Sequence, residues 1–409
     1  MKPFNLLLYK YALVVVIIST SAADWPKFGG MHGTFVSVDD GIIKNWSDEE
    51  PQRLWKIDVG LGFSSVVEAN GFAYTQGYKN GKNTLFCVDV KSQDVVWKKD
   101  FPCHIGDHFF KGGSRTTPAV DDGRLFLLLH NGGLYCLDAL NGKIIWSVNV
   151  VDDLEGQRPD WGFSSSPLVT DDYVILQIGA PESGVVALSK VDGSLKWKSG
   201  EFSAAYATPI YNKDKGKLFI FSGSGISVHE HASGKQIQSF QHKTRYGINA
   251  SQPLLLGDCV LLSSAYGKGS SFINFSGRSP KIAWKTEKIG TQMASSILVD
   301  GFVYGVHGQA GSKTSHSSIF CLDIERGKIL WTKKGYGLGS IIAVNNTLIF
   351  LNELGELILF EANPKFFKEM AAFQVLSGKD NWIPPSYANG KLHCRSSDGI
   401  WICLKMTDA

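Results

Sequence analysis

Through most of this chain, apolar residues recur at every second position in short runs, and each run ends at a turn rich in Gly, Asn or Asp. The stretch TTPAVDDGRLFLLLHNGGLYCLDALNGKIIWSVNV, residues 116–150, holds four such runs separated by Asp-Asp-Gly, Asn-Gly-Gly and Asn-Gly-Lys. A period of two bounded by these turns predicts four antiparallel strands. The pattern recurs eight times, at intervals of 41 to 51 residues between the residues that close each copy. Those residues are Trp55, Trp97, Trp146, Trp197, Gln238, Trp284, Trp331 and Phe373. One small sheet cannot bury both its faces, so repeats of this length must stack, and the chain reads as an all-β, eight-bladed β-propeller of four-stranded antiparallel blades.

Blade one is expected from Ser64 to Trp97, blade two over 116–150, and blade three from Ser164 to Trp197. Blade four starts near Tyr206, blade five spans Asn249 to Trp284, blade six Ala294 to Trp331, and blade seven Gly339 to about Phe373. The last copy, PPSYANGKLHCRSSDGIWICLKM, supplies only three strands, while RLWKIDV at 53–59 is a fourth strand with no sheet before it. Joining the two completes blade eight and leaves no open edge in the ring. The organisation is therefore a leader at 1–23, an N-terminal extension at 24–52, and the propeller at 53–409.

The leader combines Lys2 and Lys10 with the apolar run LLLYKYALVVVII and ends in Ser-Thr-Ser-Ala-Ala. A basic start, a short apolar core and small residues at the exit predict a cleaved secretory signal, which implies a periplasmic or secreted protein. No Cys lies near the junction, so the pattern is not that of a lipid-modified N-terminus. Without its two lysines the formal net charge falls from +3 to +1, which favours neither nucleic acid nor an anionic membrane surface. Cys87, Cys136 and Cys321 take one third-strand position in three separate blades and read as small core residues. Cys394 and Cys403 flank a hairpin whose turn, taken as Asp398-Gly399, sets them opposite each other; two thiols are the expectation, one bridge the alternative.

Chemistry on a propeller is sought where the chain leads into each first strand, facing the central channel. Here those segments are GFSS, GSRTTP, GFSSSP, AAYATP, GINASQP, MASS, GLGS and NWIPPS, with Arg115 their only charged side chain. The ligand-binding candidates are Arg115, Thr116, Ser165, Tyr206, Asn249, Ser295 and Trp382. One cation among many hydroxyls suits an anionic or sugar-like ligand, and supplies neither an acid/base pair nor an oxygen cage for a metal. His229 and His231 share a strand face without a visible third ligand, and Cys103-His104 and Asp107-His108 lie in a loop where polar residues need no special reason. The repeat tryptophans read as packing between blades.

The segments LDALNGKIIW at 137–146 and LDIERGKILW at 322–331 resemble the pyrroloquinoline-quinone (PQQ) repeat, and the resemblance extends over all eight copies. It implies one of two roles. Quinoprotein alcohol dehydrogenases hold PQQ over the channel with calcium, between a Trp and a disulfide of adjacent cysteines. BamB-like outer-membrane assembly factors use a bare propeller of about this length to bind proteins. This chain has no adjacent cysteines, so the resemblance implies a monomeric scaffold for envelope or secreted proteins, with no cofactor. A PQQ- and calcium-dependent dehydrogenase is the alternative, and a carbohydrate-binding module a more distant one.

Overall fold

The computed structural model describes residues 23–39, 41, 50–106, 110–311 and 313–407. The expected leader, apart from Ala23, lies outside them. The described residues form an all-β ring of eight antiparallel blades, and in blades one to seven the four blade strands run from inner to outer in chain order. Blade one comprises Val67–Ala69, Phe72–Lys79, Lys82–Asp89 and Val95–Pro102. Blades two to seven repeat this plan, and blade eight joins Ser386–Ala388, Lys391–Arg395 and Ile400–Lys405 to Arg53–Asp58. The closing strand pairs as expected from the sequence, with Trp55 opposite Cys403 and Ile57 opposite Trp401. Second and third strands are buried almost throughout, because each faces a neighbouring blade on both sides; outer strands alternate with solvent.

Each outer strand carries a β-bulge immediately before its repeat-closing residue, as between Ile144 and Trp146. A bulge re-aims the side chain that follows it. Trp97, Trp146, Trp197, Trp284 and Trp331 each donate Nε1–H to a carbonyl of the next blade, those of Ala139, Lys190, His231, Ile324 and Asn363, at 2.7 to 3.2 Å. Gln238 keeps the same donor without the ring, its Nε2 standing 2.6 Å from Gly277 O. Four of the indoles, Trp97, Trp146, Trp197 and Trp284, lie on the glycine of the next blade's outer turn, and a Cβ built on Gly193, at φ +75°, would stand 2.6 Å from the Trp146 ring; Trp331 instead packs on Phe367. The Gly and the Trp of the repeat thus belong to one contact made between consecutive copies.

Two expectations need correction. In blade seven the register-equivalent residue is Ala371, opposite Leu359, and Phe373 lies two positions beyond it. The reason is the join: blade eight takes its outer strand from the chain's start, so it has no third-to-outer turn on which a large ring could lie. Cys394 and Cys403 are also one residue out of register, Cys394 facing Ile402 and Cys403 facing His393. The turn holds three residues, Ser397 to Gly399, with Ser396 N–H bonded to Ile400 O at 2.8 Å. A one-residue slip puts the two thiols on opposite faces. All seven cysteines are free, and burial raises the pKa of both Cys394 and Cys403.

Residues 24–39 of the N-terminal extension, to which the sequence assigned no role, form a strap across the channel. Trp25 bridges to Glu68 of blade one, and Pro26 O accepts from Val120 N of blade two at 2.8 Å. Gly33 O then accepts from Gln252 of blade five at 2.6 Å. Val36–Ser37 add a parallel fifth strand to blade seven, and the Asp39 carboxylate accepts from Gly390 N of blade eight at 2.8 Å. Gly30, at φ +82°, lets the strap fold back on Trp25, whose ring a Cβ there would meet at 2.9 Å.

Candidate site at the channel mouth

The hydroxyls of the lead-in segments serve first to join blades. The amides of Ser65, Thr117 and Ser166 donate to the hydroxyls of Thr117, Ser166 and Thr208, each in the following blade, at 2.9 to 3.1 Å, and Gln252 N repeats the bond to Ser295 Oγ at 3.1 Å. Four of the seven ligand-binding candidates fall in this inner ring or behind it. Ser295 is one acceptor. Thr116 is buried between Gln76 and the Leu128 carbonyl. Asn249 is buried, donating to Ser222 O at 2.8 Å and His242 O at 3.0 Å and accepting from Ser264 at 2.7 Å. Ser165 is buried, and the neighbouring Ser164 lines the channel instead.

Arg115, Tyr206 and Trp382 do meet, in a cavity of about 420 Å³ at the channel mouth. Lead-in residues of every blade except the seventh contribute to it, and Phe28 of the strap reaches it from the far side of the ring. The cavity is therefore a cup with a floor. Its walls carry Phe63, Phe110, Trp161, Tyr206, Tyr266 and Trp382, and among the described lining residues Arg115 is the only cation and no carboxylate occurs. Phe63 and Trp382 stack at 5.7 Å with 14° between planes, Phe110 meets Trp382 edge-on at 5.1 Å, and the Arg115 guanidinium lies 5.0 Å from the Phe63 centroid. Trp161 packs edge-on against Tyr206 at 5.9 Å, and burial raises the pKa of the Tyr206 hydroxyl. The Trp382 side chain is buried and its Nε1–H has no hydrogen-bond partner among the described residues. Phe28, Phe63, Phe110 and Tyr266 were not found from sequence, because Phe63 was read as one letter of a lead-in, Phe28 and Phe110 lie outside the repeats, and Tyr266 sits in a turn between two strands of blade five.

Other titratable groups are accounted for by packing. His229 bonds Gly234 O at 3.0 Å and Ser227 Oγ at 2.8 Å, while His231 bonds Thr170 and stacks on Tyr211 at 4.2 Å, so the pair shares no ligand. Cys103 Sγ lies 3.7 Å from His130 Nε2, but burial pushes the thiol up to about 11. Burial, helped by the charges of His104, Arg158 and Arg115, brings the His130 imidazole down to about 4. Both shifts oppose a thiolate–imidazolium pair. Asp107 and His108 lie outside the described residues, and among those described no group of three His, Cys, Asp or Glu converges as for a metal.

The seam between blades eight and one is polar. His393 Nε2 lies 2.8 Å from the Glu68 carboxylate, and its Nδ1 lies 3.3 Å from Trp401 Nε1–H. Burial pushes the Glu68 carboxyl up, but the hydrogen bond and charge of His393, with the hydrogen bond from Asn389 and the charge of Lys391, outweigh it and the net shift is down. Arg395, fully buried, donates to Ser64 O at 2.8 Å and Gly60 O at 2.9 Å, the carbonyl contact that Gln76 and Gln177 make at the same place in their blades. Burial lowers its pKa to about 9.

A quinone held through calcium needs carboxylate oxygens at the ion. The described lining residues supply none and do not fit that group. A family model described as outer membrane protein assembly factor BamB matches residues 39–199 and 81–333. BamB of Yersinia pestis is 20% identical over 342 residues, 78% of this chain and 82% of that protein. The tetrathionate hydrolase of Acidithiobacillus ferrooxidans is 24% identical over 317 residues, 68% of this chain and 60% of that protein. Among solved structures, the quinohemoprotein alcohol dehydrogenase of Comamonas testosteroni aligns with a TM-score of 0.69 at 14% identity, covering 95% of this chain and 81% of that one. BamB of Moraxella catarrhalis aligns with a TM-score of 0.63 at 13% identity, covering 88% and 99%. At these identities the structures share the fold.

Proposed function

The chain belongs to the family described as outer membrane protein assembly factor BamB, and on that premise we propose that it is a non-catalytic scaffold of the bacterial cell envelope, exported by removal of residues 1–23, that receives protein partners at the mouth of its channel. The observation that carries this reading is the composition of the cup: rings and one guanidinium, with no carboxylate among the described lining residues. Such a lining binds flat and apolar groups and offers no base to accept a proton from a substrate. No helix among the described residues is long and apolar enough to cross a membrane. Likeness to dehydrogenases is likeness of fold, and fold alone assigns no chemistry.

The test is a turnover assay. Protein incubated with PQQ and Ca²⁺ is given short alcohols, sugars and an artificial electron acceptor. The scaffold reading expects no reduction above a protein-free control. Turnover that disappears in Arg115→Ala would make the protein a quinoprotein instead.

A further inference from the structure

We propose that the cup is a binding site for an aromatic ring bearing a carboxylate. The inference goes beyond the scaffold reading and rests on the shape and charge of the cup alone. Two features specify the ligand. The walls are built of faces and edges of aromatic rings, above all the stacked pair Phe63 and Trp382, which favour a flat π-system over an aliphatic chain. The single positive charge of the described lining stands at one side, over Phe63, so a bound ring directs one anionic substituent toward Arg115. A guanidinium has five N–H donors in a fork, which lets it keep a contact within the protein and still take a carboxylate.

The floor fixes the size. With Phe28 closing the channel, the cavity of about 420 Å³ accommodates one or two fused rings and a short acid arm, and not an extended chain threaded through the propeller. That chemistry can come from a free aromatic acid or from the C-terminal residue of a polypeptide. Indole-3-acetate serves as the probe for the first and a short peptide ending in Trp for the second.

Calorimetric titration compares indole-3-acetate with indole-3-acetamide, and the Trp-terminated peptide with its C-terminal amide, on the full mature protein. Loss of a charge-assisted bond to the arginine is expected to weaken the amide about tenfold or more relative to its acid. Arg115→Gln should erase that difference in a protein that still unfolds cooperatively, and Trp382→Ala, which removes the stacking face, should weaken acid and amide alike. Binding of the free acid alone assigns a small-molecule ligand, and binding of the peptide acid as well assigns a chain end; both support the site. Equal affinity for acid and amide, a difference that survives in Arg115→Gln, or no binding of either acid at millimolar concentration overturns it. Because the titrations need no partner protein, their failure leaves the scaffold reading to stand or fall by its own assay.

Discussion

Gly193→Ala isolates the contact that joins one blade to the next. The glycine sits at φ +75°, where an L side chain costs about 1 kcal/mol relative to Gly. Its Cβ would also stand 2.6 Å from the Trp146 ring, a separation that real atoms do not tolerate. Either the turn or the indole must retreat; overpacking of this kind costs about 1–3 kcal/mol. A retreating indole also strains the 3.2 Å bond to Lys190 O, worth about 1 kcal/mol. These costs overlap, so the expected loss is about 2–4 kcal/mol. In a Trp146→Ala background the clash is gone and only the backbone cost of about 1 kcal/mol remains. Urea unfolding of the wild type, the two single variants and the double variant gives the coupling energy directly. A coupling of about 1 kcal/mol or more is expected; additivity within about 0.5 kcal/mol would show that the ring and the glycine do not share one contact.

The seam between blades eight and one makes the opposite prediction: Gln93 holds φ +67° where the outer turns of blades two, three, four and six have Gly142, Gly193, Gly234 and Gly327, so Gln93→Gly should stabilise by about 0.5–1 kcal/mol in the same assay, and a loss would deny strain there. His130 and His242 are both depressed by burial to about 4, so the unfolded chain takes up protons first as pH falls; stability should drop between about pH 6.5 and 4 and hold level above, and an unchanged pH profile in the His130→Asn, His242→Asn double variant would contradict this. The downward shift of Glu68 adds stability above about pH 4.5 that is lost on further acidification, so Glu68→Gln should lower stability at neutral pH and flatten the acid limb. Thiol titration of the denatured protein should find all seven cysteines free; five would require a bridge that the register does not allow.

Much of the fold was legible because each blade spells out its own turns: glycines and asparagines at positive φ mark where strands reverse, and the Trp marks the bulged outer strand. What failed was whatever depends on a neighbour. Ala371 replaces the Trp for want of a turn in blade eight, which no reading confined to blade seven reveals. The slip between Cys394 and Cys403 came from a three-residue loop whose flanking residues also fit a two-residue one. The strap has no period at all, so residues 24–52 carried no signal that Phe28 reaches the channel. Among the lead-ins, charge and ring size picked out Arg115, Tyr206 and Trp382, but hydroxyls look the same in sequence whether they face a ligand or the next blade's amide, as Ser295 does.

Whether the mouth of the cup meets a protein partner is tested most directly by a photo-crosslinking amino acid at Tyr246. That side chain is 57% exposed and its ring lies 5.4 Å from Tyr266, which lines the cup. In the native host, irradiation should yield one reproducible adduct with an envelope polypeptide identifiable by mass spectrometry, and the same group at Leu140, 62% exposed in an outer turn, should not. No adduct at Tyr246, or the same adduct from both positions, would contradict a partner site at the channel mouth.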